Sequence, residues 1–154
     1  MSTPGIILRT AESSDLQRLL VLAQGCPGAP RWAPRIWQQL LESPTDGVRR
    51  IVLLAESVND CVGFGVLGLI ADDAEIESLA VSTSWRRRGI ARRICKDLLS
   101  WARARGATHA SLEVRVSNSA ARALYESLGF NEIATRRGYY LDPEEDALVM
   151  TTRL

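Results

Sequence analysis

Arg86-Arg87-Arg88-Gly89-Ile90-Ala91 is a run whose residue types suit the binding of phosphate. It follows the strand-like Ile76-Glu77-Ser78-Leu79-Ala80-Val81 and opens an amphipathic helix. A helix that starts from a glycine-containing turn aims free backbone N–H groups and the positive end of its dipole out of that turn. Gly89 lets a ligand approach the backbone closely, and Ala91 is too small to obstruct it. From Trp85 to Arg105 the chain carries seven arginines and Lys96 against the single acid Asp97, a net charge of +7, whereas the whole chain carries only +1. A basic patch in a near-neutral chain suits a compact polyanion, and the weak overall balance argues against a dedicated nucleic-acid binder. The alternative for this segment is a solvated basic helix start. No Gly-Lys-Ser/Thr follows, so the turn is not a P-loop.

Other reactive residue types are sparse. Cys26, Cys61 and Cys95 are odd in number and lack CxxC spacing, so reduced, packed thiols are expected rather than a disulfide framework or a zinc site. His109 stands alone and makes no ligand set, so no metal is expected. Met1 to Ile7 lacks a basic region followed by a long apolar run, and no apolar stretch reaches about 18 residues. The expectation is a cytoplasmic protein with no membrane partner.

The elements that must position the turn can be read from periodicity. At 154 residues, 46% hydrophobic and 24% charged, the chain suits one domain spanning 1–154. Ile6 to Arg9 reads as a strand. Ser14-x-x-Gln17 resembles a capping box before a helix faced by Leu16, Leu19, Leu20 and Ala23. Cys26 to Pro30 is a loop. A second helix covers Arg35 to Glu42, with Ile36, Leu40 and Leu41 inward and Ser43-Pro44 ending it. Arg50–Glu56 and Cys61–Ile70 form a hairpin across Asn59-Asp60, and Gly63, Gly65 and Gly68 suit close backbone packing. Ala74–Val81 is the next strand, and strict alternation places Glu75 and Glu77 on one side of it with Leu79 and Val81. The long helix runs from Arg88 to Arg105, with Ile90, Ile94, Leu98 and Trp101 on one stripe, and Gly106 stops it. Thr108–Val116 alternates, Ala110, Leu112, Val114 and Val116 facing one way and Ser111, Glu113 and Arg115 the other. Asn118 caps a helix through Leu128, closed by Gly129, and Phe130–Arg137 and Asp146–Thr152 make a final strand pair. The order β-α-α-β-β-β-α-β-α-β-β predicts a mixed α/β domain with one parallel crossover around the long helix.

The second constellation runs from Leu112-Glu113-Val114-Arg115-Val116-Ser117-Asn118 through Tyr125-Glu126-Ser127-Leu128-Gly129-Phe130. A strand, an Asn, a helix and Tyr-x-x-x-Gly-Phe in that order resemble the second half of a GNAT-family N-acetyltransferase. Arg86-x-x-Gly89-x-Ala91 matches that family's acetyl-CoA turn, and the element order extends the likeness to nearly the whole chain. Leu112-Glu113-Val114-Arg115 before Ser117-Asn118, and Tyr139-Tyr140 before Glu145-Asp146-Ala147, further resemble the RimI-type ribosomal-protein-alanine N-acetyltransferase subgroup.

The resemblance implies a GNAT fold: a mixed, mostly antiparallel sheet of about seven strands flanked by about four helices. It implies acetyl-CoA as cosubstrate, with backbone N–H groups from Arg87 through Arg88, Gly89 and Ile90 to Ala91 holding the pyrophosphate beside Arg86. Leu79, Ala80 and Val81 would pair through backbone with the pantetheine arm, and Asn118 would contact the cofactor nearby. Tyr125 would be the general acid at the thioester sulfur. Independently, a phenol of pKa about 10 is still protonated at neutral pH and can donate to a departing thiolate; the alternative is a core tyrosine.

Glu113 would be the general base, with Glu77 and then Glu75 as rivals on the neighbouring strand; its alternative is a surface carboxylate pairing with Arg115 or with a neighbouring strand. Tyr139 and Tyr140, in the loop between the last two strands, would wall a peptide groove. Trp32 would either wall the acceptor's first residue or pack in the core. Asp142, Glu144, Glu145 and Asp146 form an acidic run that either attracts a basic protein tail or is a solvated loop. The implied acceptor is a protein N-terminus, foremost the N-terminal alanine of a ribosomal protein. An α-amine has a pKa of about 7.7–8.0 against about 10.4 for lysine, so one carboxylate deprotonates it more readily. Alternatives are a small-molecule amine or a lysine side chain as acceptor, and a non-catalytic acyl-CoA-binding module.

Overall fold

Apolar alternation along seven segments builds one sheet, and apolar stripes on four helices cover its two faces. The computed structural model describes residues 5–42 and 47–154. In chain order the elements are β1 (Ile7–Thr10), α1 (Leu16–Gln24), α2 (Pro34–Leu41), β2 (Arg49–Glu56), β3 (Cys61–Ile70), β4 (Asp73–Val81), α3 (Ile90–Ala104), β5 (His109–Arg115), α4 (Ser119–Ser127), β6 (Asn131–Tyr140) and β7 (Glu145–Arg153). The sheet order is β1-β2-β3-β4-β5-β7-β6. Every neighbouring pair is antiparallel except β4 and β5, the parallel pair joined through α3. The order of elements along the chain and the single parallel crossover through α3 are those that the sequence predicts.

One face of the sheet carries α3 and α4. Ile90, Ile94, Cys95, Leu98 and Ala102 of α3 are buried in one cluster with Leu67, Leu69, Ala74, Ile76, Leu112, Val114, Tyr125 and Phe130. Gly65 makes this contact close: a Cβ there would stand 2.9 Å from Leu98 Cδ1 and closer still to Ile94. On the other face, Leu19, Leu22 and Trp37 of α1 and α2 cluster with Val52, Leu54, Phe64 and Val66. Trp37 is the buried residue of α2, while Ile36, Leu40 and Leu41 are only half-buried. Periodicity selects those three instead, because over a two-turn helix the apolar stripe can be centred in more than one way. The expected stop at Ser43-Pro44 and the segment Met1–Pro4 lie outside the described residues.

The start of α1 differs too. Glu12 N–H donates to the Asp15 carboxylate at 2.8 Å, and Asp15 N–H donates to the Glu12 carbonyl at 2.8 Å, so a short 3-10 turn over Ser13–Asp15 leads into the helix in place of a Ser14–Gln17 box. Asp15 also accepts two hydrogen bonds from Arg9, at 2.8 and 2.6 Å, which ties the helix entrance to β1.

Two irregularities shape the middle of the sheet. Parallel pairing between β4 and β5 covers only Asp73–Ile76 against His109–Leu112, although both strands run further. Beyond Ile76 the sheet therefore opens between them. At the same point β4 bulges: Val66 of β3 lies opposite Ser78 and Leu67 opposite Ile76, so Glu77 is extra. An inserted residue resets the side-chain alternation of the strand. Glu75 and Glu77 consequently share the α1/α2 face, whereas Leu79 and Val81 turn to the α3 face. Strict alternation predicts all four together, and the bulge separates them.

Tyr139 and Tyr140 belong to β6, and Glu145 opens β7. Only residues 141–144 form the connection, shorter than the loop read from sequence. Strand pairing between β6 and β7 jumps from Arg136–Ala147 to Tyr140–Glu145, around Gly138 at φ +60°. Among the described residues no helix is long and apolar enough to cross a membrane.

Candidate active site

The turn into α3 lies beyond the end of β4, at one end of the opening in the sheet. Gly89 caps α3 with φ +77°, and Arg87 also adopts a left-handed φ of +63°. The first helical hydrogen bond runs from Arg93 N–H to the Gly89 carbonyl at 3.1 Å. The N–H groups of Ile90, Ala91 and Arg92 therefore point off the helix end without a backbone acceptor among the described residues. Arg86 donates from Nε to the Val81 carbonyl at 3.2 Å, pinning the turn to the end of β4. Arg88 stacks on Trp85, its guanidinium 4.5 Å from the ring centroid, and Arg92 donates to Ser127 at 2.6 Å. Arg87 is exposed.

Tyr125 stands on the α3/α4 side of the opening. It is buried in the cluster of α3 and β5, edge-on to Phe130 with centroids 5.9 Å apart. Its hydroxyl makes no hydrogen bond to a described residue, and burial first, then the neighbouring Cys95 and Tyr140, pushes its pKa well above the ordinary phenol value. It is a proton donor throughout the neutral range. Asn118 caps α4, its side-chain oxygen accepting from Ala121 N–H at 3.2 Å, which leaves the amide nitrogen for other partners.

On the opposite face, three carboxylates converge. Glu113 alternates away from buried Leu112 and Val114 of β5, and Glu75 and Glu77 come from β4. Glu77 is held by Arg50 Nε at 2.9 Å. Glu113 Oε1 lies 3.4 Å from Arg136 Nε of β6, and its Oε2 is buried without a hydrogen-bond partner among the described residues. The Glu75 carboxyl is raised above its usual value by burial first and then by the charges of Glu77 and Glu113. The Tyr139 phenol is raised first by the approach of the Glu113 carboxylate and then by burial. Tyr140, perpendicular to Tyr139 at 5.0 Å, is pushed up to about 12 by burial and then by Glu113.

A phosphate turn, a buried phenol and a carboxylate arranged around one gap suit transfer of an acyl group from a phosphate-bearing donor to an amine. A model of the acetyltransferase (GNAT) family matches residues 15–130. The chain belongs to that family. The [ribosomal protein bS18]-alanine N-acetyltransferase of Escherichia coli strain K12 is 32% identical over 145 residues, covering 93% of this chain and 94% of the relative. The crystal structure of the Escherichia coli ribosomal-protein-S18-alanine N-acetyltransferase superposes with a TM-score of 0.83 at 29% identity, covering 96% of this chain and 93% of that one. NAA60 of Arabidopsis thaliana in complex with acetyl-CoA shares the fold, with a TM-score of 0.83 at 18% identity, covering 97% and 99% of the two chains. The seven strands and four helices are thus a GNAT fold, and the protein is an N-acetyltransferase.

Of the residues singled out by sequence in this acetyltransferase, Leu79–Val81 form the unpaired edge of β4 and Arg86–Ala91 the turn beyond it. Tyr125 lies on the α3/α4 face, Glu77, Glu113 and Tyr139 lie on the other, and Tyr140 neighbours both Tyr125 and Glu113. Trp32 packs against Trp37, with centroids 5.0 Å apart, in the α1/α2 cluster and is only half-buried. The acidic run is partly structural. Glu145 accepts from Ser117 N–H at 2.5 Å and pairs with Arg115 at 3.4 Å, and Asp146 accepts from Gly138 N–H at 2.9 Å. Arg115 therefore pairs with Glu145, not Glu113, and its guanidinium covers the Tyr140 ring at 4.3 Å. The sequence reading missed Arg50 and Arg136. Both are remote in sequence from the carboxylates they meet, and only the sheet register brings them near.

Proposed function

We propose that this chain is an acetyl-CoA-dependent Nα-acetyltransferase whose acceptor is a protein N-terminus, foremost the N-terminal alanine of a ribosomal protein. The observation that carries the reading is Glu113 Oε2, a buried oxygen with no partner among the described residues, on the opposite side of the opening from the buried Tyr125 phenol. A buried acceptor of this kind is costly unless a donor completes it, and an amine N–H is such a donor. The similarity to the bS18-alanine N-acetyltransferase supports the choice of acceptor.

The residues at the opening fit acetyl-CoA. The N–H groups at the start of α3 and the exposed Arg87 would take its phosphates, with Arg86 and Arg88 shaping the turn. The unpaired edge of β4 at Leu79–Val81 would accept the pantetheine arm as an added strand, and the Asn118 amide would reach it from the end of α4. When bound, acetyl-CoA supplies the acetyl group as a thioester. Glu113 takes a proton from the attacking amine at Oε2. Tyr125, kept protonated by burial, gives its hydroxyl proton to the departing sulfur. Tyr139, Tyr140 and Trp32 border the acceptor groove, while Glu75 and Glu77 are neighbours of the base.

A panel of hexapeptides varied at the first two positions, led by Ala-initiated ribosomal sequences, tests this with acetyl-CoA as donor. Transfer that requires a free α-amine is expected. Transfer to small amines alone, or to peptides with a blocked α-amine, would overturn it.

A further inference from the structure

The acceptor face holds more charge than one proton transfer needs. Glu75, Glu77 and Glu113 lie together, Arg50 offsets Glu77, and Arg136 lies against Glu113. Tyr139 and Tyr140 complete the titratable groups from β6. Arg115 of β5 and Glu145 of β7 face Tyr140 and offset each other.

An amine attacks a thioester only when uncharged. Three carboxylates without countercharge would hold an arriving amine as its ammonium, because nearby anions favour a cation's charged form. Such a site would bind its acceptor well and react with it poorly.

We infer that Arg136 is a positioning residue that keeps the acceptor amine deprotonated: its guanidinium engages Glu113 Oε1, offsets the carboxylate cluster and leaves Oε2 to meet the amine. The inference rests on the α-amine acceptor reading above. Arg136 is suited to the task by its place. It is the last regularly paired residue of β6 before the pairing jumps to Tyr140, and the displaced strand is fastened where Gly138 N–H meets Asp146. Its side chain is 56% exposed against 17% for Glu113, so solvent screens its charge and its effect is graded rather than absolute. Its guanidinium also lies 5.6 Å from the Tyr139 ring centroid, within cation–π reach.

The test measures kcat against pH for the wild type, Arg136→Gln and Arg136→Lys, with saturating acetyl-CoA and an Ala-initiated hexapeptide. Removing the cation should move the rising limb of kcat toward alkaline pH by about half to one unit and lower the peptide KM below pH 7. Arg136→Lys should return the limb most of the way to its wild-type position. A role confined to joining β6 to β5 would lower rates at every pH without moving the limb. An unmoved limb in Arg136→Gln, or a shift that lysine does not reverse, overturns the inference while the acceptor reading stands. A wild-type enzyme inactive on every α-amine peptide overturns both.

Discussion

Glu77 crosses the bare backbone of Gly68 to reach Arg50: its Oε1 lies 2.7 Å from where a Gly68 Cβ would stand and 2.9 Å from Arg50 Nε. The glycine thus makes room for an ion pair. Gly65, on the same strand, makes room for the α3 side chains Ile94 and Leu98. These two glycines should respond differently to alanine. Gly68→Ala displaces the flexible end of Glu77 and asks Val48 Cγ1, 3.3 Å away, to give by only a few tenths of an ångström, so stability should change by less than about 1 kcal/mol. Gly65→Ala overpacks a closed core and should cost about 1–3 kcal/mol. Chemical denaturation of both variants checks the contrast, and equal losses would contradict it.

Tyr125→Phe removes a hydroxyl that bonds to no described residue while keeping the ring on Phe130. We expect kcat to fall by about 10²-fold or more, the KM for acetyl-CoA to stay within about twofold, and stability to change by less than about 0.5 kcal/mol. Steady-state kinetics with a thermal melt measures all three. Full retained activity would remove Tyr125 from the chemistry.

Gly89→Ala tests the turn. A side chain at φ +77° is strained by about 1–2 kcal/mol, and relief of that strain would re-aim the N–H groups that precede Arg93. The KM for acetyl-CoA should rise severalfold while the KM for peptide changes little. A higher peptide KM with an unchanged acetyl-CoA KM would place the turn on the wrong substrate.

Asp15 predicts an acid-sensitive element far from the chemistry. Hydrogen bonds from Arg9 hold its carboxyl down at about 2, against burial, with help from Glu12 N–H and the charges of Arg9 and Arg18. The folded value lies below the unfolded value of about 3.9, so the stabilisation is full above the unfolded pKa and is lost as pH falls through the folded one. Asp15→Asn should cost about 2 kcal/mol at pH 7, and the difference from wild type should shrink between about pH 4 and pH 2. Urea titrations at several pH values measure it. A difference independent of pH would mean that charge plays no part.

The order of elements was legible because each carries its own period. The turn at Gly89 and the run from Glu113 to Phe130 were legible because their chemistry is local in sequence. Glu77 was misplaced relative to Leu79 because a single bulge reverses alternation and leaves no mark in composition. The opening between β4 and β5 was not legible either: both strands keep their pattern past the point where they part. Arg50 and Arg136 were missed for a third reason. A long cation finds its carboxylate through register, and register is set by the whole sheet. Trp37 shows the limit within a single helix, where a short stripe leaves its centre undetermined.

The central claim is that Glu113 deprotonates an acceptor α-amine while Tyr125 protonates the departing sulfur. One peptide carrying both a free N-terminal alanine and an internal lysine, incubated with acetyl-CoA and sequenced by tandem mass spectrometry, tests it most directly. A single acetyl group on the alanine nitrogen, lost in Glu113→Gln, is the predicted result. Acetylation of the lysine in preference to the α-amine would contradict it.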